Sequence, residues 1–221
     1  MNGTITVESG CTADIYGTVK RTITVKEGGT LNLYDGAEVS GRVVTSGACT
    51  INGGTVKGIT VNGGVCTIND GTIQNAYDES GVSVNGGVCT ITGGTIQNNK
   101  NENGNGGGVY VDGGTCTISG GSITNNTAQN GGGVYVAGGE CIINGAMNVA
   151  ANITNNTAQN GNGGGVYVAG GKCTVDGYAE VTDNTASYGG GVYVASGATC
   201  WLREHSGIRS NNANADGGGV Y

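Results

Sequence analysis

Proline and phenylalanine are absent from this 221-residue chain, and tryptophan and histidine occur once each. Proline cannot donate to a strand ladder and is confined to edges and bulges, so its absence suits a backbone hydrogen-bonded on both sides. Positive charge is scarce: 9 Lys and Arg against 16 Asp and Glu give a formal charge of −7. Thinly spread cations leave no basic patch for nucleic acid or an anionic membrane surface. No apolar run reaches membrane-spanning length, and Met1-Asn2-Gly3-Thr4 is unlike a secretory leader. There is no Cys-x-x-Cys, no Cys/His metal spacing and no Gly-Gly-x-Gly-x-Asp calcium repeat. Neither metal nor cofactor is expected.

Glycine, by contrast, fills 48 positions, and it does so periodically. The stretch Gly107–Asn130, GGVYVDGGTCTISGGSITNNTAQN, returns in altered form from Gly132, Gly164 and Gly190, and the chain stops at Tyr221 just after opening another copy. That abrupt stop is expected of a fragment of a longer protein. Each copy carries three strand signals: Val109-Tyr110-Val111, Cys116-Thr117-Ile118, and a segment centred on Ile123. Apolar residues alternate with polar ones at a period of 2, and glycines between them supply the sharp turns.

Three such brief strands cannot bury an apolar face alone, so each copy must stack on its neighbours. The opening positions are Ile23, Val43, Ile59, Val82, Val109, Val134, Val166, Val192 and Val220. Their spacing ranges from 16 residues (Val43 to Ile59) to 32 (Val134 to Val166), with the variation in the turns. The expected fold is all-β: a right-handed parallel β-helix, a solenoid of about nine coils with three short strands each. At roughly 4.8 Å per coil the rod would be on the order of 40–45 Å long. One periodicity implies a single domain over 1–221, with irregular N-terminal coils in 1–58 and regular repeats in 59–221. Tyr77–Ser80, Lys100–Gly106, Ala146–Ala151 and Asn160–Gly163 read as insertions that should protrude as loops.

The eight cysteines form a column. Cys49, Cys66, Cys89, Cys116, Cys141, Cys173 and Cys200 recur at one position of consecutive copies, each two residues before an aliphatic. Cys11 is expected to take that position two copies earlier, with Leu31 between. Thiol and aliphatic therefore share the inward face, a ladder of small buried hydrophobes. Adjacent coils would also bring Cα atoms within disulfide range, so some bridges remain open as an alternative.

Two outward or turn columns complete the pattern. Asparagines after the third strand (Asn98-Asn99, Asn125-Asn126, Asn155-Asn156, Asn184 and Asn211-Asn212) can hydrogen-bond from coil to coil and satisfy turn backbone. Tyr110, Tyr135, Tyr167, Tyr193 and Tyr221 sit between inward valines and point out. An exposed row of phenols either stabilises the sheet by stacking or binds sugar rings or a protein. Tyr110, Tyr135, Tyr167 and Tyr193 are accordingly the candidate ligand-binding residues. Outward Thr50, Thr67, Thr90, Thr117 and Thr174 read as a solvated β-face. The one dense charged patch, Asp176, Glu180, Asp183, Arg203, Glu204, His205 and Arg209, is the place a reaction would need, and it reads as a decorated turn. No catalytic residue is assigned.

The GGxV opening at Gly107-Gly108-Val109, Gly132-Gly133-Val134, Gly164-Gly165-Val166 and Gly190-Gly191-Val192, paired with Ile123…Asn126 and its equivalents, resembles the GGAI and FxxN repeat of chlamydial polymorphic outer-membrane proteins. More broadly the chain resembles the pectin-lyase-like β-helices of bacterial surface proteins and autotransporter passengers. The resemblance implies an extracellular or surface-anchored adhesin or stalk whose partner is a host or bacterial glycan or a surface protein. The same fold serves polysaccharide lyases and hydrolases, so a carbohydrate-active enzyme or a degenerate relative is the alternative, although no Asn-Thr-Asp, Asp-Asp or Gly-His-Gly segment is present. Head-to-tail self-association into a fibre is the third reading.

Overall fold

The computed structural model describes residues 4–221, so the first three positions of the expected 1–221 unit lie outside it. Among the described residues there is no helix, and every strand pairing is parallel. The exception is an isolated antiparallel bridge between Ala146 and Val149. The sheets curl into a solenoid-like arrangement, compatible with a β-helix, in which each repeat lies on the next.

Register follows the alternation along the inward columns, and the shifts fall between them, at Val39/Arg42, Ile51/Asn52 and Asn52/Thr55. Ile23 pairs with Val43, and the line runs on through Ile59, Val82, Val109, Val134, Val166 and Val192 to a single bridge at Val220. A shift of one residue would trade inward valine for outward tyrosine on every copy, which is why the pattern fixes the pairing so firmly. Leu31 pairs with Cys49, and the thiol column continues in order through Cys66, Cys89, Cys116, Cys141, Cys173 and Cys200. A third line joins Val56, Ile73, Ile96, Ile123, Ile153, Val181 and Ile208. The inward side chains of all three lines merge into one apolar cluster extending from Val7 to Val192.

The eight cysteines are free, and the six from Cys49 to Cys173 are buried. Cys11 departs from expectation. Ala13, not Cys11, is the partner of Leu31, and Cys11 is exposed. Its N–H donates to the Glu8 carbonyl at 3.0 Å, closing a turn through Gly10, whose φ is +74°. The strand therefore begins only at Thr12, and the inward position falls two residues later than Cys-x-apolar spacing suggests.

Three strands per copy is also one too few in the later repeats. Lys100–Asn105, Thr127–Asn130, Thr157–Ala158, Thr185–Ala186 and Asn212–Ala213 form a separate five-stranded parallel sheet. Lys100–Asn105, expected as a loop, is its first strand and carries an irregularity between Asn101 and Asn105. Within the Ala146–Ala151 insertion Met147 and Val149 are exposed, but Ala151 is buried and opens the strand Ala151–Thr154.

Candidate functional site: a tyrosine stack and the cleft at its head

Two interior devices hold the tyrosine strand in place. The first is the asparagine column. Asn99, Asn126, Asn156 and Asn184 are wholly buried. Asn99 Oδ1 accepts from the Ala76 N–H, and from Asn126 onward each amide oxygen accepts two bonds from the preceding member: Asn156 Oδ1 takes the backbone N–H and the Nδ2 of Asn126, both at 3.0 Å. Each Nδ2 donates twice, as Asn156 does to Asn184 Oδ1 at 3.0 Å and to the Ile123 carbonyl at 2.9 Å. Every N–H of the buried amide is thereby used. The residue before each member (Asn98, Asn125, Asn155, Asp183, Ser210) has φ between +53° and +58°, the left-handed turn that Asn and Asp tolerate best among non-glycines.

The second device is the glycine triplet before each tyrosine, and Gly163-Gly164-Gly165 illustrates it. Gly163 has φ +65°, and a Cβ there would lie 2.7 Å from Tyr167 Cβ. A Cβ on Gly165 would lie 2.6 Å from Val181 Cγ1 and 2.7 Å from the Gly191 carbonyl oxygen. Glycine at the third position thus admits both the next backbone and the asparagine ladder.

The structure brings Tyr110, Tyr135, Tyr167, Tyr193 and Tyr221 together as a continuous stack. Successive ring centroids are 5.5, 4.9, 4.9 and 5.2 Å apart with interplanar angles of 14° or less. That interval is the spacing of neighbouring strands, so the sheet itself sets it. Tyr110, Tyr135, Tyr167 and Tyr193 are half-buried. Burial raises the hydroxyl pKa of Tyr135, with neighbouring Tyr167 and Tyr110 adding to it. Tyr110 and Tyr167 are raised in the same way, assisted by Asp112 and by Tyr193 respectively. Because each ring covers the next, the inner members present edges and hydroxyls to solvent, not faces.

The stack ends at Tyr110. Its partner on the preceding repeat is Ser83, and the partner of Ser83 is Thr60. Into the space that further rings would fill runs the Arg42 side chain, only 15% exposed. Nε donates to Thr60 Oγ1, Nη2 donates to the Ile59 carbonyl at 3.0 Å and to Ser83 Oγ at 3.1 Å, and Nη1 lies 2.9 Å from Glu79 Oε2. Burial lowers the Arg42 pKa while Glu79 opposes that shift. Gly58 is needed beside it, since a Cβ there would lie 2.5 Å from Arg42 Nη1. Beside it Asp78, Glu79 and Ser80 of the insertion, Asn101, Asn105 and Tyr110 line an open cleft of about 470 Å³. A second cavity of about 480 Å³ lies on the far side of the Arg42–Glu79 pair, beneath Tyr77.

Sequence reasoning found Tyr110 and the Tyr77–Ser80 insertion but gave no role to Arg42 or to its partner Glu79 within that insertion. The available signal was the break in the tyrosine column at Ser83 coinciding with an insertion.

Four residues of the charged patch near the C-terminal repeats form two ion pairs. Arg203 Nη1 is 3.8 Å from Asp176 Oδ2, and Arg209 Nη2 is 2.9 Å from Glu180 Oε2, close enough for an ion pair but not aligned as a hydrogen bond. His205 stacks on Tyr178 at 5.4 Å and occupies a left-handed turn at φ +65°. Asp183 is the turn residue ahead of Asn184. Among the described residues no group of three or more His, Cys, Asp or Glu is placed to hold a metal. The threonine face satisfies itself in part: Asn69 Nδ2 donates to Asn52 Oδ1 at 2.9 Å, and Thr92 Oγ1 donates to Asn69 Oδ1 at 3.0 Å. No known family model, curated protein or solved structure matches the chain.

Proposed function

We propose that the chain is a right-handed parallel β-helix of about nine coils, of the pectin-lyase-like kind found in bacterial surface proteins. It works without catalysis, outside the cell or at its surface, as an adhesin or stalk. Its contact surface is the tyrosine edge and the loops beside it, and its partner is a glycan or a surface protein. The observation that carries this reading is the stack: five phenols held at about one strand spacing, the four from Tyr110 to Tyr193 half-buried. Such an array is rigid before binding, so little side-chain freedom is lost on contact, and phenols combine apolar area with a hydrogen-bonding tip.

The test is a chain in which Tyr110, Tyr135, Tyr167 and Tyr193 are all serine, checked for folding by circular dichroism. Loss of binding to glycan arrays and to cells supports the reading. Unchanged binding by the folded variant dismisses it.

A further inference from the structure

We infer that the cleft at the head of the stack is a saccharide site for a neutral sugar, with the uncovered face of Tyr110 as its platform. This rests on the glycan branch of the function proposed above and narrows it to one place and one chemistry.

Tyr110 is the one ring of the stack whose N-terminal neighbour is small, since Ser83 stands where the next phenol would be. Tyr110 lines the open 470 Å³ cleft together with Ser83 and Arg42, a volume within the roughly 300–1,000 Å³ typical of small-molecule sites. A sugar ring has an apolar C–H face and a hydroxyl rim, and an aromatic face flanked by short polar side chains matches both. The rim partners are at hand. Ser83 Oγ accepts from Arg42, which leaves its proton to donate. Asn85 and Asn101 each donate one bond within the protein, to Asn62 Oδ1 and to the Asn105 carbonyl. Among the described residues nothing donates to the Oδ1 of either, so both oxygens can accept from sugar hydroxyls.

The charge pattern selects against acidic sugars. Arg42 is the sole cation lining the cleft, against Asp78 and Glu79. Of its five N–H groups, four are committed to Thr60, Ile59, Ser83 and Glu79. One remains, enough for a neutral oxygen. A carboxylate would meet two acids and could reach the guanidinium in bidentate fashion only by displacing Glu79. The floor is also rigid, because the groups that would touch the ligand are already fixed by bonds to one another.

The experiment is calorimetric titration of the purified chain with cellobiose, lactose and mannobiose, and with digalacturonate as the acidic counterpart. Three variants accompany it. S83Y continues the stack and covers the Tyr110 face. Tyr110→Leu keeps apolar bulk without the aromatic face, and guards against misfolding of the first. The third replaces Tyr135, Tyr167 and Tyr193 by serine and leaves the cleft intact. Saturable binding of a neutral disaccharide is expected, weakened about tenfold or more by S83Y and by Tyr110→Leu, and more by either than by the triple variant. Wild-type affinity in both cleft variants overturns the site, as does preference for digalacturonate. If those variants bind cells normally while the triple variant does not, the cleft falls and the stripe survives as the contact surface. Failure of the wild-type chain to bind any sugar removes the site and the glycan branch together.

Discussion

Replacing Asn156 by alanine probes the asparagine ladder where it is fully enclosed. The substitution removes the acceptor of two donors, the backbone N–H and the Nδ2 of Asn126, each now at 3.0 Å from Asn156 Oδ1. Both sit on a residue with no exposed surface, so neither gains bulk water in exchange. A buried donor left without a partner costs about 1–3 kcal/mol, so the pair amounts to about 2–6 kcal/mol. The Ile123 carbonyl also loses the Asn156 Nδ2 bond, but a carbonyl has a second lone pair and suffers less. Water entering the vacated space would pull the loss toward the lower end of the range. The neighbouring residue supplies the control. Asn155 is exposed and has φ +56°, where glycine fits at least as well, so Asn155→Gly should stay within about 0.5 kcal/mol of the parent. Urea unfolding followed by circular dichroism measures the global loss. Hydrogen exchange at the Asn126 amide measures the local one, which matters because a stack of repeats opens regionally. A loss under about 1 kcal/mol in both measurements, or a larger loss from Asn155→Gly, would refute the claim that the ladder is a satisfied and interdependent network.

Three further outcomes are expected. Under native alkylation Cys11 should react as a free thiol and Cys200 more slowly, while the six thiols from Cys49 to Cys173 react only on unfolding; mass spectrometry of labelled peptides decides, and fast labelling of the inner six would contradict their burial. Burial, with smaller help from neighbouring Asp112 and tyrosines, raises the hydroxyls of Tyr110, Tyr135 and Tyr167. Their contribution to stability is therefore complete below the unfolded phenol pKa of about 10 and is lost as pH climbs from there toward the folded values. Urea midpoints should fall as pH rises above about 10, and by less in a chain with those three tyrosines replaced by leucine; an equal fall in both would contradict this. Finally, Gly165→Ala should destabilise by about 2 kcal/mol or more, because its Cβ meets fixed backbone. Gly197→Ala, at φ +83° with nothing within 4 Å, should cost only the 1–2 kcal/mol of a left-handed backbone, roughly, and equal melting temperatures for the two would undo the steric reasoning.

The columns were legible because their periods coincide. A valine every second residue, a cysteine two before an aliphatic and a glycine cluster between strands all demand the same register, and Ile23 through Val220 pair as that demand requires. Cys11 misled for a local reason: its spacing to Ala13 imitates the column, but the turn from Glu8 delays the strand. The fourth strand escaped because two residues such as Thr157-Ala158 carry no period at all. Arg42 lies in the least regular part of the sequence and reads there as one charge among several. Only the stacking of repeats brings it against Thr60, Ser83 and Glu79, and no spacing rule within a repeat connects those positions.

The same stacking sets where recognition can arise. In a faithful repeat each side chain lies on its own copy, so the tyrosines cover one another's faces and the asparagines exhaust one another's hydrogen bonds. Regularity gives stability and removes the groups a ligand could use. An opening requires the repeat to fail on one rung while holding on the next, and the step from Tyr110 to Ser83 is such a failure. There a ring face, a pinned guanidinium and two amide oxygens are left without counterparts in the stack, beside an insertion that lines the same cleft. Restoring the repeat at that step with S83Y closes the cleft and adds a stacking partner worth about 0.5–1.5 kcal/mol, against which stand the lost bond from Arg42 Nη2 to Ser83 Oγ and the displacement of that guanidinium from the space the ring would take. A variant that melts no lower and yet no longer binds sugar would separate the two demands. If it instead melted well below the parent, the space beside Tyr110 would be needed by the fold itself and could not be counted as free for a ligand.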